Sequence, residues 1–264
     1  MILFLFLTHL GLGIVFTLAL VSREAGVKFF RFNAGLAAIL IAFAFAFRSG
    51  DSDLSGANLV ALAALAIAEA ATVLYWATVG RALASVRPAI VGVACGCGLV
   101  ALTAQAIAVA GGRGLGAVVL TISSFLSSAA LLGGASTAMI LGHWYLILPS
   151  MQVSHLQSIV KVHIASLVVR IVVVAAAVLV AIETWQPGLG PSFRHYIMSV
   201  GGIFFWQRVL FGLCGPVLLS YLTWETAKIR ATQSATGILY VDFFTVVVGE
   251  VLAQYLLLAT RVPV

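Results

Sequence analysis

Three histidines lie close together in the segment "GHWYLILPSMQVSHLQSIVKVH", within an otherwise very apolar chain. His143 and His163 stand on either side of Pro149, with His155 between them. Two imidazoles that face one another across a helix pair can hold a haem iron from both sides. They can equally donate hydrogen bonds to the carbonyl oxygens of a quinone, so the segment is a candidate for redox chemistry.

Trp144 and Tyr145 add aromatic side chains next to His143. We therefore take His143, Trp144, Tyr145 and His163 as a candidate cofactor site, for quinone or haem b. Interfacial aromatics and histidines that mark a helix end explain the same residues without a ligand. A divalent metal is disfavoured because two histidines without nearby Asp, Glu or Cys are a thin ligand set. No metal site is predicted.

Five charged residues interrupt long apolar stretches: Glu69, Arg170, Arg208, Asp242 and Glu250. A charged side chain at the centre of a bilayer costs about 2.5–3.5 kcal/mol on insertion scales, so each of them needs a reason. One reason is a proton or ion path, because intramembrane carboxylates commonly carry protons. The alternative is structural, since buried ion pairs can fix the register of helices.

Lipid must be the solvent for most of this chain. Of its 264 residues, 62% are hydrophobic and only 8% are charged, with a mean hydropathy of +1.17. A soluble protein carries about 25% charged residues. The net charge of +6 is no sign of nucleic-acid binding, because the basic residues are scattered at the ends of apolar segments instead of forming a patch.

Apolar runs separated by short polar breaks predict an all-α fold, a polytopic integral membrane bundle of about eight transmembrane helices. No break is long enough for a soluble domain, so residues 1–264 form one bundle with short loops. The first apolar run lacks the positively charged N-terminal region of a signal peptide, so we expect it to be retained as a transmembrane helix. The predicted spans are 2–22, 27–47, 54–80, 88–111, 114–147, 156–184, 196–227 and 232–260.

Depth along neighbouring antiparallel spans predicts which polar residues meet. Arg208 and Glu250 are equidistant from the turn near residue 229, so we expect an ion pair between them. Arg170 is expected to form a second cluster with Asp242 or Glu69. By the same reasoning His143 and His163 should lie at similar depth on adjacent helices.

Small residues predict where helices pack closely, because lipid provides no hydrophobic drive for helices to associate. Gly92 and Gly96 form a GxxxG pattern that predicts close packing of span four. Span five repeats small residues through "SSFLSSAALLGGAS". Because it is overlong, we expect either a kink at Gly133-Gly134 or an end that runs along the interface. Pro216 should bend span seven. The cysteines lie in apolar runs, and we expect each of them to be a small, buried hydrophobic side chain: Cys95, Cys97 and Cys214.

Basic residues near the span ends predict orientation, since they are enriched in cytoplasmic loops. Eight follow the odd-numbered spans and four follow the even-numbered ones, which places both termini outside the cytoplasm, in a cell inner membrane. The first group is Arg23, Lys28, Arg31, Arg81, Arg87, Lys161, Lys228 and Arg230, and the second is Arg48, Arg113, Arg194 and Arg261.

Three functions remain open. The first is the membrane subunit of an electron-transfer complex with partner redox subunits, contacting quinone or haem near His143 and His163. The second is a small-solute or proton-coupled transporter that uses the five buried charges, although no internal repeat supports it. The third is a non-catalytic structural subunit of a large membrane complex. Enzymatic activity is left undecided, because no phosphate-binding glycine loop, H-E-x-x-H or G-x-S-x-G motif is present.

Overall fold

The computed structural model describes residues 1–48, 56–147, 152–184 and 192–264. These residues are helical almost throughout and form no β-strand. The helices are α1 (Ile2–Leu18), α2 (Gly26–Ala46), α3 (Gly56–Thr78), α4 (Arg87–Ala110), α5 (Leu115–Ile147), α6 (Val153–Glu183), α7 (Phe193–Met198), α8 (Ile203–Val209), α9 (Gly215–Lys228) and α10 (Thr232–Thr260). The predicted all-α membrane bundle is confirmed.

Within the described residues, seven segments are long and apolar enough to cross a membrane: 23–46, 56–78, 87–110, 115–147, 153–183, 200–228 and 232–260. Helices suit this environment because all their backbone hydrogen bonds are made within the segment. The eighth, α1, is apolar but has only 17 residues, about 25 Å at ~1.5 Å per residue. It is four residues shorter than the predicted span 2–22. Pro149 lies outside the described residues.

The central helix of the bundle is α5, which packs against α1, α4, α6 and α10. Its small residues permit this crowding. A Cβ atom at Gly13 of α1 would collide with the backbone carbonyl of Ala129, and one at Gly133 would collide with the backbone of Gly13. The helices α1 and α5 therefore touch backbone to backbone, as small residues allow in membranes.

The packing prediction for Gly92 and Gly96 is wrong. The helix α5 runs without a break through Gly133 and Gly134, and both glycines make room for neighbouring helices. Gly134 lies against the backbone of His163 on α6. Gly92 and Gly96 are exposed, and no neighbouring atom lies within 4 Å of a Cβ atom built on either. The GxxxG pattern of α4 thus packs against no other described helix.

The seventh span is irregular next to Pro216, where the sequence predicts a bend. A single π-helical turn, Leu210–Cys214, separates α8 from α9 just before the proline. In this turn Gly212 lies against Gly249 of α10 so closely that a Cβ atom on either would clash with the Cα atom of the other. The π-helical turn and α10 are therefore in backbone contact.

The connections after α1, α3 and α9 lie with the start of α6 at one end of the bundle, which we call the basic end. There, Trp144 Nε1 donates a hydrogen bond of 3.2 Å to the carbonyl of Ala25, and His155 Nε2 lies 2.6 Å from Glu24 Oε2. These contacts fasten the α1–α2 connection to α5 and α6. Which side of the membrane the basic end faces remains a prediction from charge.

Candidate functional site

Glu250 on α10 is the centre of a buried ionic cluster. Arg208 on α8 donates to its Oε1 at 2.8 Å, which is the pairing that depth along the hairpin predicted. Arg170 on α6 donates from Nε to Oε1 and from its terminal nitrogen to Oε2, both at 3.0 Å. All three side chains are at most 1% exposed. Glu250 thus accepts hydrogen bonds from two arginines at once.

The prediction for the partner of Arg170 is wrong. The sequence predicts Asp242 or Glu69, yet Arg170 binds Glu250. The reason is register: α6 and α10 run in the same direction, so Arg170 lies level with Glu250, while His163, seven residues earlier, lies level with Asp242. Sequence separation alone could not show that these helices come close enough for their side chains to meet.

A chain of hydrogen bonds continues from Glu250 toward α1. Ser128 on α5 donates to Glu250 Oε2 at 2.6 Å, and His9 Nδ1 lies 3.0 Å from Ser128 Oγ. Gln254 Nε2 lies 3.1 Å from the same nitrogen of His9. His9 Nε2 and Gln254 Oε1 are buried, with no hydrogen-bond partner among the described residues. Ser124 completes the cluster by accepting from Arg170 at 2.7 Å.

His163 and Asp242 form a second buried pair. His163 Nε2 lies 2.8 Å from Asp242 Oδ2, and neither side chain is exposed at all. The pair is an ion-pair contact by distance, and none of the ring nitrogens of His163 or the carboxylate oxygens of Asp242 makes a hydrogen bond to the residues that the structure describes. A fully buried imidazole beside a carboxylate offers two groups that can take up a proton.

An apolar layer separates the two buried clusters. Asp242 and Glu250 are eight residues apart on α10, about 12 Å at ~1.5 Å per residue. The layer between them contains Leu131, Leu167 and Val246, which are at most 2% exposed. Hydrocarbon side chains dominate this level, and the buried hydroxyls of Ser166 and Thr245 at the same level donate to carbonyls of their own helices.

Two buried hydroxyls of α9 lie near the His163–Asp242 pair, on the side toward the basic end. Ser220 and Thr223 on α9 are at most 3% exposed, and their oxygens have no hydrogen-bond partner among the described residues. The contact of Gly212 with Gly249 fixes the antiparallel register of α9 with α10, which places Ser220 about level with Asp242 and Thr223 nearer to the basic end. A polar cavity of about 1210 Å³ lies beyond them, with Gln233 and Lys228 among its lining residues.

The charges of the two clusters balance. Arg170 and Arg208 contribute two positive charges, and Glu250 and Asp242 contribute two negative ones. With His163 neutral, the buried set has no net charge. We call these residues, together with Ser128, His9, Gln254, Ser220 and Thr223, the polar column. A single additional proton would leave one uncompensated positive charge inside the bundle, which is costly in a medium of low dielectric constant.

Glu69 lies outside the polar column. It is half-buried on α3, and its Oε2 is buried with no hydrogen-bond partner among the described residues. No ion pair of the described residues includes it. Of the five charges that the sequence singled out, four therefore meet in the column and one does not.

The predicted cofactor residues do not form one cluster. His143 is exposed and its Nδ1 lies 3.0 Å from the hydroxyl of Tyr240, whereas His163 is fully buried beside Asp242. The structure gives the two histidines different partners, so they are not a facing pair. Trp144 binds the α1–α2 connection and Tyr145 is buried in the core. Whether any of them contacts a cofactor stays a prediction.

Sequence reasoning missed five members of the column: His9, Ser128, Ser220, Thr223 and Gln254. Each of them is a polar residue within an apolar span, but an uncharged polar side chain is a weaker sequence signal than a charged one. Cys214 was also misjudged, because it is exposed, while Cys95 and Cys97 are half-buried. Among the described residues no group of three or more His, Cys, Asp or Glu side chains could hold a metal ion.

Comparison of the chain with protein-family models, with curated proteins and with solved structures finds no match. Function is therefore inferred from the membrane-embedded helical bundle and its polar column.

Proposed function

We propose that this protein is a proton-coupled transporter and that the His163–Asp242 pair is its proton-binding site. The observation that carries the proposal is the complete burial of both side chains at 2.8 Å, within a membrane bundle. Ionisable residues at such depth are expensive and usually mark a substrate or proton pathway. Histidine is the side chain whose charge changes most readily near neutral pH.

The surroundings of the pair favour a coupling role. The buried charges of the polar column sum to zero, so binding of a proton changes the electrostatic energy of the whole interior. The arginines and Glu250 form a fixed cluster about 12 Å away by helix rise. A proton on His163–Asp242 would be repelled by the arginines, so protonation raises the electrostatic energy of this arrangement relative to one in which the clusters are further apart.

The π-helical turn between α8 and α9 is an element of the bundle that could move. Arg208 lies before the π-helical turn Leu210–Cys214, and Ser220 lies after it. π-Helical turns are often found at functional sites, and proline just after the turn weakens the helix there. We propose that a hinge at this turn exposes the proton site alternately to the two sides of the apolar layer formed by Leu131, Leu167 and Val246.

The test is proton movement in proteoliposomes that contain a pH-sensitive dye. Gradients of a panel of small ions, sugars, amino acids and carboxylates are imposed in turn. We expect at least one solute to drive a pH change with the unmodified protein, and Asp242→Asn to abolish it. Glu69→Gln is the matched control, because it also neutralises a carboxylate in the membrane but lies outside the column.

Equal recovery and equal unfolding temperature of the variants must be shown by size-exclusion chromatography and thermal unfolding. His163→Gln provides a second variant should Asp242→Asn fail to fold. If no solute in the panel moves protons, or if the variants and the unmodified protein give the same flux, the transporter proposal is wrong.

A redox function is the second candidate, favoured by the exposed pair of His143 and Tyr240. With His143 Nδ1 bonded to the Tyr240 hydroxyl at 3.0 Å, the other ring nitrogen, Nε2, could donate a hydrogen bond to the head group of a membrane quinone. The tests are extraction of the purified protein for quinone by mass spectrometry and a redox difference spectrum for haem b. Absence of both, with no redox partner subunit co-purifying, would rule this function out.

A further inference from the structure

A separate polar cavity lies at the basic end, away from the polar column. It occupies about 390 Å³ between α1, α2, α3 and α4. This is within the range of small-molecule sites, which extends from about 300 to 1,000 Å³. Apolar side chains form most of its wall: Leu18, Val21, Phe30, Val79 and Val91.

Two arginines line the cavity without a carboxylate to neutralise them. Arg23 has neither a hydrogen bond nor an ion pair to another described side chain. Arg87 uses Nε and one terminal nitrogen on the carbonyls of Ala82 and Thr78, which leaves its other terminal nitrogen free. Glu24, the nearest acid in sequence, binds His155 instead. The cavity therefore carries two positive charges.

A largely buried tyrosine lies beside these arginines. Tyr75 lines the cavity, is 9% exposed, and its hydroxyl has no hydrogen-bond partner among the described residues. The N-terminus of α4 opens into the same space through Arg87 and Pro88, and Val86 before it provides no side-chain cap. Helix N-termini attract anions through free backbone N–H groups and the helix dipole.

The loop that carries Arg23 is held in place. Ser22 caps the 3-10 turn Arg23–Ala25 by accepting from the backbone of Glu24. Trp144 binds the carbonyl of Ala25, and His155 binds Glu24, so two further helices fix the turn. An arginine on an anchored turn loses less conformational freedom on binding than one on a free loop.

We propose that this cavity binds a phosphate-bearing anion, with Arg23, Arg87 and the Tyr75 hydroxyl as its polar contacts. Guanidinium groups bind phosphate oxygens through paired, charge-assisted hydrogen bonds. An anionic phospholipid and free inorganic phosphate share this chemistry. The phospholipid is favoured because the remaining wall is apolar and could pack the start of an acyl chain, and because basic pockets between membrane helices commonly bind lipid head groups.

This site is independent of the proposed transport function. It shares no residue with the polar column and lies on the other side of α5, where a bound lipid would hold α1 through α4 together. Loss of lipid binding would therefore leave the proton-coupling proposal untouched, and failure of the flux experiments would leave this one untouched.

The experiment measures lipid retention by the purified full chain in a neutral detergent. Phosphatidylglycerol and phosphatidylcholine with the same acyl chains are titrated separately, and bound lipid is counted by native mass spectrometry. Inorganic phosphate alone is titrated in a third series, with the unfolding temperature as its readout. Variants are Arg23→Gln, which breaks no bond within the protein, and Tyr75→Phe; Arg81→Gln is the control, exposed near the same end but outside the cavity.

We expect phosphatidylglycerol to bind more tightly than phosphatidylcholine, and Arg23→Gln to weaken it about tenfold or more, as loss of a charge-assisted hydrogen bond implies. Tyr75→Phe should weaken it several-fold and Arg81→Gln should not. If phosphate raises the unfolding temperature with the same dependence on the variants, and phosphatidylglycerol binds no better than phosphatidylcholine, the ligand is the free ion. Equal binding of both lipids without any effect of phosphate, or no effect of Arg23→Gln, would overturn the proposal.

Discussion

Arg208, in the last turn of α8, donates a hydrogen bond of 2.8 Å to Glu250 on α10, and neither side chain is exposed. The two residues are 42 positions apart in the chain and meet because α9 folds back onto α10. The same carboxylate also accepts two hydrogen bonds from Arg170. Glu250 thus ties together three helices, α6, α8 and α10, and the first predictions concern this carboxylate.

Glu250→Gln should destabilise the bundle severely. The variant leaves two buried arginines without a counter-charge, and removal of one partner from a buried ion pair costs about 3–5 kcal/mol. Chemical unfolding in detergent measures the loss. The control is Glu225→Gln, which breaks the exposed pair with Lys228 at 2.6 Å and should have little effect, as is typical of surface pairs. Equal losses in both variants would contradict this account.

Ser128→Ala should cost less than loss of the charge but more than loss of an exposed hydroxyl. Ser128 donates to Glu250 at 2.6 Å and lies 3.0 Å from His9, so the variant leaves both groups short of a partner. A hydrogen bond to a charged group contributes about 1.5–3 kcal/mol. Thermal unfolding checks the difference, with Ser154→Ala at the exposed start of α6 as the control. A neutral Ser128→Ala would mean that the hydrogen-bonded chain from Glu250 to His9 contributes nothing to stability.

Gly249→Ala should disrupt the contact between α10 and the π-helical turn. The added methyl group would clash with Gly212 and with the guanidinium of Arg208, so α8 must move away and the ionic cluster must stretch. We expect a loss of about 1–3 kcal/mol or more, as for other overpacked interiors. Gly92→Ala provides the contrast, because its Cβ atom meets nothing and alanine favours helix by about 1 kcal/mol. The unfolding temperatures of the two variants should move in opposite directions.

His163 and Asp242 should be energetically coupled. A double-mutant cycle with His163→Gln, Asp242→Asn and the combined variant isolates their interaction, which for residues in direct contact lies at about 0.5–3 kcal/mol. Chemical unfolding provides the four free energies. Additive effects would show that the pair does not interact in the folded protein, in spite of the 2.8 Å separation. The same cycle for His163 and Glu69 should give no coupling, because Glu69 lies outside the column.

The fold followed from sequence because lipid imposes simple rules. Apolar runs of about 20 residues with few charges must become helices, and short breaks leave no room for another domain. The helix bounds of α10 match the predicted span 232–260 at both ends. Depth from a hairpin turn was enough to pair Arg208 with Glu250, because neighbouring antiparallel helices are joined by a short connection that fixes their register.

Contacts between helices that are distant in sequence were decided only by the tertiary structure. Arg170 binds Glu250, and His163 lies beside Asp242, because α6 and α10 run parallel within reach of one another. No turn joins these two helices, so the spacing along the chain holds no information on their separation or register. Residue types alone determined that buried charges need partners. Packing of backbone on backbone, at Gly13 with Gly133 and Gly212 with Gly249, decided which partners they have.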